Sequence, residues 1–437
     1  MASASIPALS WTELQALAPA AAERSHGPAT AQADLRLFGQ PERAVRVTLY
    51  RDHHAWCPYC QKIWLWLECR RIPYRVRKVT MRCYGPKEPW YSALVPSGML
   101  PALELDGQLI TESDRILAAL EQVFGPLGAP FDSPEVLQLR QLERRLFRAW
   151  CVWLCSPALT LQDQERARSR FQAMACRVEA ALDAAAGPWL GTPPPADGVL
   201  QNSVLQSSTT PGTADLVLLP FVERMNASLA YYKGYALRQE HPAIDRWLAR
   251  LEQLEPYRAT QGDAHTHAHD LPPQMGCCVL EPSPSQQRLA AAIDSGEGLG
   301  ALESRWQPGP ESVAPPLRAL ERVLRHRVLL QSRNPLGDGF DQPLRAALTH
   351  LVTGEACQPA PGSAAALRYL RDRISVPRDM PLLSARALRQ ALEATAALDG
   401  SAQSEPLPVQ HRFDQDPRPF LAVRLAGNGA TIPAPTR

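Results

Sequence analysis

No apolar run in the 437 residues approaches the length of a bilayer-spanning helix, so no membrane-spanning helix is expected. Charge of one sign is also lacking. Forty-six Lys and Arg against forty-four Asp and Glu leave a net charge of +2, which gives no reason to expect nucleic acid or an anionic membrane as partner. Ten cysteines in so long a chain make no disulfide framework, and most sit in apolar helical patterns, as free thiols of a reducing compartment do. The N-terminus has neither the basic start nor the apolar centre of a secretory signal. Residues 1–10 are rich in Ala and Ser, but Glu13, Glu23 and Asp34 follow early, and transit peptides are poor in acids. A cytoplasmic protein is expected, with a plastid as the alternative. There is no internal repeat, and the length calls for two or three domains.

What is present falls into blocks. Residues 1–44 read as an N-terminal extension with one short amphipathic stretch at 11–17. Residues 45–50 alternate apolar and polar as a half-buried strand does, and a loop at 51–56 leads to Cys57. Pro58 suits a first helical position. The helix passes through Ile63, Trp64 and Leu67 and closes on Arg70 and Arg71 before Pro73. A strand at 74–79 completes a β-α-β unit. After Leu100-Pro101, residues 102–105, Asp106-Gly107 and 108–110 form a hairpin, and Thr111-Glu112-Ser113 opens a helix. The predicted fold class is therefore an α/β thioredoxin-like domain over 45–127, followed by an all-α domain over 133–258. Residues 259–285 read as a linker, 286–400 as a further helical region and 401–437 as a disordered tail. Helices are expected there at 315–332, 343–352, 363–374 and 384–398, and a long polar loop at 191–211.

The chemistry concentrates at Cys57-Pro58-Tyr59-Cys60. Two such cysteines can begin a zinc site, but no second pair at matching spacing follows in the domain. A strand before the motif and a helix after it favour redox chemistry. A cysteine at a helix N-terminus meets unsatisfied N–H groups and the positive end of the helix dipole, which stabilise thiolate and lower its pKa. On this reading Cys57 is the exposed nucleophile and Cys60, one turn in, can resolve a mixed disulfide. Lys62 or Arg51 can add positive field. Leu100-Pro101 interrupts a strand edge where an extended peptide could add main-chain hydrogen bonds. Ser113, at a helix start, can receive a carboxylate, and Glu112 can meet an ammonium group.

Residues 45–258 resemble the glutathione transferase superfamily, and the Cys57-Pro58-Tyr59-Cys60 motif is similar to that of glutaredoxins. The resemblance is to cysteine-type members, such as the omega class and dehydroascorbate reductases. It implies a cis peptide before Pro101, pairing of the Leu100 backbone with the cysteinyl part of glutathione, and binding of the γ-glutamyl end by Glu112 and Ser113. It implies glutathione as cosubstrate, no metal, a small electrophilic or disulfide substrate, and a homodimer. The activity it implies is a thiol transferase or reductase, or a dehydroascorbate reductase-like enzyme, that forms a mixed disulfide on a low-pKa Cys57. Conjugation of glutathione to electrophiles, or a binding protein that keeps the fold, are the alternatives. Gly212-Thr213-Ala214-Asp215 resembles the family's capping motif, with Gly212 where the family has Ser or Thr.

Other features carry less. Trp64, Trp66, Trp150 and Trp153 read as core. His265, His267 and His269 alternate in the expected linker and read as solvated or packed on the helical domain. Tyr231 and Tyr232 border a second-substrate pocket only by analogy.

Overall fold

A computed structural model describes residues 5–157, 159–191, 210–310, 312–400 and 421–423. The five-stranded sheet has the order β1-β3-β2-β4-β5, with β1 Leu35–Arg36, β2 Val47–Asp52, β3 Tyr74–Val79, β4 Ala102–Leu105 and β5 Gln108–Thr111. Strands β2 and β3 are parallel and joined by a helix, and the other pairs are antiparallel. This is the thioredoxin-like unit that the alternation and the Asp106-Gly107 turn predict.

Helix α1 spans Trp11–Leu17, α2 Pro58–Arg70, α3 Pro89–Leu94 and α4 Ser113–Phe124. The α2 C-cap, Arg71, turns left-handed at φ 52°, and β3 begins three residues later. In the all-α part, α5 spans Pro134–Cys155 and α6 Leu161–Asp183. Ser133 caps α5 by accepting from Val136 N, as its position before Pro134 suggests. Helix α7, Thr213–Lys233, is buried along nearly its whole surface because it is apolar on most sides. Gly234 ends it at φ 66°, and a Cβ there would stand 2.6 Å from Gln286 N. Trp64, Trp66, Trp150 and Trp153 are core, as expected. The expected loop at 191–211 falls largely on residues 192–209, outside the described ones, as does most of the expected tail.

Two boundaries differ from the sequence reading. Residues 259–285 are not a solvated linker. After α8 Leu237–Glu240, α9 Pro242–Leu251 and α10 Glu255–Thr260, that segment forms α11 Ala264–Met275 and β6 Cys278–Leu280. Asp263 caps α11, accepting from Thr266 N at 2.9 Å, and most of the helix is buried against α7. Its polar histidines and two prolines disguise a core helix. The extension 1–44 is not one unit either. Helix α1 buries Leu14 in the C-terminal helical core, and Trp11 Nε1 donates to Asp341 at 2.7 Å. Arg36 instead joins the sheet domain through a buried ion pair with Glu68 at 2.9 Å.

The C-terminal region comprises α12 Pro284–Asp294, α13 Pro315–Arg333, α14 Asp341–Thr353, α15 Ala364–Arg371 and α16 Leu382–Ala397, with the short β7 Leu421–Val423 pairing with β6. Helices α13 to α16 share a core with α1. They dock on α11 through a buried Arg389–Asp263 ion pair and through Val376 N, which donates to Thr266 Oγ1 at 2.9 Å. Among the described residues no helix is long and apolar enough to cross a membrane.

Candidate active site

Strand β2 ends in Asp52, and the chain then folds back so that Trp56 N donates to Asp52 Oδ2 at 2.6 Å. Ala55 takes a left-handed φ of 56° to allow this turn. Cys57 follows as the N-cap of α2, with Pro58 in the first turn, so the helix-terminus position predicted for it is found. Its expected exposure is not: Cys57 is only 6% exposed. The fold-back of residues 52–56 encloses it, and Arg224 from α7 closes over that loop by donating to Trp56 O and stacking on the Trp56 ring.

Cys60 is fully buried one turn along. Burial, and next its contact with the Cys57 sulfur, push the Cys60 thiol well above its ordinary value. An oxygen of Asp52 and both sulfurs lie within 4.8 Å of one another, close enough to hold a metal ion. Asp52 Oδ1 is buried without a hydrogen-bond partner. The set offers three ligands, one fewer than a closed tetrahedral zinc site.

The residues assigned by resemblance to glutathione come together. Leu100, Pro101, Glu112, Ser113 and Lys62 all line one cavity of about 530 Å³ between the sheet domain and α5, with Tyr59 of the cysteine motif. The Leu100-Pro101 peptide is cis. Glu112 has φ 68°, a conformation that costs of order 1–3 kcal/mol in a residue other than glycine and tends to persist at functional sites. Ser113 is buried at the start of α4. Cys57 and Cys60 are not among the lining residues.

Each cation lining this cavity contacts a carboxylate. Lys62 Nζ and Arg140 Nη2 each contact Asp114 at 2.6 Å, and Arg144 binds Glu143 while its Nη1 donates to Tyr59 Oη at 3.2 Å. Burial pulls the Lys62 ammonium down, opposed by Asp114. Burial likewise raises Asp114, but Lys62 and Arg140 hold its carboxyl below the usual range. Arg51 does not face the cavity. It is buried against Trp64 and donates to the carbonyls of Ala31 and Asp52.

A polar clamp behind the motif is absent from the sequence reading. Arg224 Nη1 donates to Gln61 Oε1 at 2.8 Å, and Gln61 Nε2 donates to Glu223 Oε2 at 3.2 Å. Glu223 Oε1 also accepts from Gly262 N at 2.9 Å and lies 2.7 Å from His267 Nε2. Burial first, then Arg224, push His267 below its ordinary value, while Glu223 opposes them. The clamp thus fixes Trp56 and Gln61, the residues flanking the motif. The readable signal was a Glu223-Arg224 pair inside an otherwise apolar helix. Tyr232 Oη donates to Ala268 O at 2.7 Å within the core, and Tyr231 Oη donates to Asp294 Oδ2 at 3.2 Å.

The N-terminal half of the chain is similar to the glutathione transferase superfamily. Residues 56–123 match the glutathione S-transferase N-terminal domain. Among particular relatives, the glutathione S-transferase DHAR2 of Arabidopsis thaliana is 22% identical over 205 residues, covering 47% of this chain and 84% of its own. Protein IN2-1 homolog A of Oryza sativa subsp. japonica is 24% identical over 251 residues, covering 56% of this chain and 94% of its own. A solved dehydroascorbate reductase from Chlamydomonas reinhardtii is 17% identical with a TM-score of 0.39, covering 50% of this chain and 93% of its own.

Proposed function

We propose that the protein is a glutathione-dependent thiol transferase or reductase that works through Cys57. The observation that carries this reading is the convergence of Leu100, Pro101, Glu112, Ser113 and Lys62 on one cavity, beside a dithiol at the start of α2. Glutathione lies extended along Leu100-Pro101, with its γ-glutamyl end at Glu112 and Ser113. The Cys57 thiolate attacks the glutathionyl sulfur of a mixed disulfide and forms a bond to it. The substrate sulfur leaves with the electron pair and takes up a proton. A second glutathione thiolate then attacks the glutathionyl sulfur on Cys57, giving glutathione disulfide and restoring the thiolate.

The upward push on the Cys60 thiol supports this monothiol route, because resolution by Cys60 needs its thiolate. Cys60 then serves Cys57 as a neighbouring protonated thiol. The second substrate is a small disulfide or electrophile such as an oxidised vicinal dicarbonyl. No metal takes part, the compartment is the cytoplasm, and a homodimer is the assembly to test first.

The experiment is glutathione-dependent reduction of a glutathionylated thiol by wild type, Cys57→Ser and Cys60→Ser. Loss of more than a thousandfold in Cys57→Ser, with most activity kept in Cys60→Ser, is expected. Equal loss in both variants would replace the monothiol route by a dithiol one. An inactive wild type that still binds glutathione would end the thiol-exchange reading and leave conjugation or binding.

A further inference from the structure

A second, larger cavity of about 920 Å³ lies away from the glutathione-type site, where the sheet domain meets the C-terminal helices. Its walls come from residues 24–34, His53, His54 and Lys78 on one side and from α13, α15 and the 373–380 segment on the other. Seven Lys and Arg side chains line it, against only Asp34 and Asp379, in a chain whose overall charge is nearly balanced. Lys78 pairs with Asp34 at 2.8 Å, Arg378 with Asp379 at 2.8 Å, and Arg325 with Glu321, one turn back on α13, at 2.6 Å. Among the described residues, Arg24 and Arg333 have no ion-pair partner.

Helix α13 shows how the wall is built. Arg322, Arg325, His326, Leu329, Leu330 and Arg333 recur at helical spacing and all face the cavity. Like charges at such spacing weaken a helix by a few tenths of a kcal/mol per pair. Arg325 is offset by Glu321 and Arg322 donates to Asp379 O, whereas among the described residues Arg333 has no ion-pair partner. The same face carries leucines, and Leu329 is 56% exposed. Val323 of α13 and Leu370, Ile374 and Met380 add further aliphatic surface. The two histidines that report on the field agree with it. Burial first, and then Arg378 and Lys78, lower His53; burial first, and then Arg322 and Arg325, lower His326.

We propose that this cleft binds an organic phosphate with an aliphatic body, its head among the α13 and 373–380 arginines and its chain on the leucine stripe. Arginine suits this head through bidentate contacts, and the volume fits a small-molecule site. The inference does not depend on the chemistry at Cys57: this cavity shares no lining residue with the glutathione-type cavity, although His53 and His54 belong to the loop that encloses Cys57.

The test uses the full chain and dodecyl phosphate below its micelle concentration, titrated by calorimetry. Binding at least tenfold tighter than that of either dodecanol or inorganic phosphate is expected, since each offers only half of the ligand. Arg325→Gln combined with Arg333→Gln should weaken it a further tenfold or more, with melting temperature and retention on immobilised glutathione unchanged. Vesicles containing phosphatidic acid test the same head on a membrane, and binding to them that the double variant loses supports a lipid source. Dodecanol binding as well as dodecyl phosphate, inorganic phosphate binding as well, or a correctly folded double variant of undiminished affinity would each overturn the proposal.

Discussion

The two large cavities treat charge in opposite ways. Around the glutathione-type cavity each cation has a carboxylate: Lys62 and Arg140 share Asp114, and Arg144 holds Glu143. The cleft against the C-terminal helices is lined by seven cations and two carboxylates; Lys78, Arg325 and Arg378 are ion-paired, and among the described residues Arg24 and Arg333 are not. A paired site can orient a zwitterionic peptide through a few directed contacts, because its own charges already cancel. A site lined by a surplus of cations creates a field, and its affinity for anions is set more by charge than by shape. The first cavity is written in local motifs and the second in the meeting of distant segments.

The clamp behind Cys57 offers the strongest way to break the first half of this comparison. Arg224→Ala removes a buried cation that holds Trp56 O and Gln61 and leaves Glu223 without its neighbouring charge. Loss of one partner from such a network costs roughly 3–5 kcal/mol. We expect a clear fall in stability by chemical denaturation and a larger fractional loss of thiol-transfer activity than of glutathione binding. Arg224→Lys keeps the charge but not the fork, and should recover stability more than activity. If Arg224→Ala lowers neither, the enclosed state of Cys57 does not depend on α7.

That clamp also marks where reading from sequence stops. The β-α-β unit, the Asp106-Gly107 hairpin and the start of α4 at Ser113 are local, each fixed by turn chemistry and period within about a dozen residues. The glutathione-type lining was legible for the same reason, since Leu100-Pro101 and Glu112-Ser113 flank one hairpin. Contacts made across long separations were not legible. Arg224 reaches Trp56 from another domain, α1 finds its partner at Asp341, and α11 hides a buried face behind histidines. Exposure of Cys57 failed as an expectation because the 52–56 fold-back encloses it and Arg224 of α7 holds that loop, which no property of the motif announces.

Salt separates the two cavities next. Raising ionic strength from about 0.05 to 0.5 M shortens the Debye length from above 10 Å to about 4 Å. Binding of dodecyl phosphate should fall roughly tenfold, while binding of S-methylglutathione should change by less than about threefold. Equal losses at both sites would mean that pairing within the glutathione-type cavity does not shield it.

A several-fold effect is expected from Asp114→Asn, which leaves Lys62 and Arg140 with a neutral amide. Weaker S-methylglutathione binding, measured by equilibrium titration, is the expected result. The pH dependence follows from the sign of the shift. The Asp114 carboxyl is held below its usual range despite burial, so its contribution is present above that range and is lost only as pH falls through the lowered value. Wild-type binding should therefore stay flat between about pH 7 and pH 5, a ligand without a free thiol removing the other titration from the window. A drop already at pH 5 would show that Lys62 and Arg140 do not protect the carboxylate.

The smallest effect belongs to the cap of α7, where the sequence departs from the family pattern. Gly212 N donates to Asp215 at 2.9 Å, so half of the reciprocal cap exists already. A Cβ at Gly212 would find its nearest neighbour, Leu127 O, at 3.4 Å, which is ordinary contact, and φ there is −82°. Gly212→Ser can therefore supply the missing oxygen without strain. A stabilisation of a few tenths of a kcal/mol is expected, a rise in melting temperature of about 1 °C or less. Because α7 also carries Glu223 and Arg224, the gain should leave thiol-transfer activity unchanged, and an altered rate would mean that the start of α7 communicates with its middle.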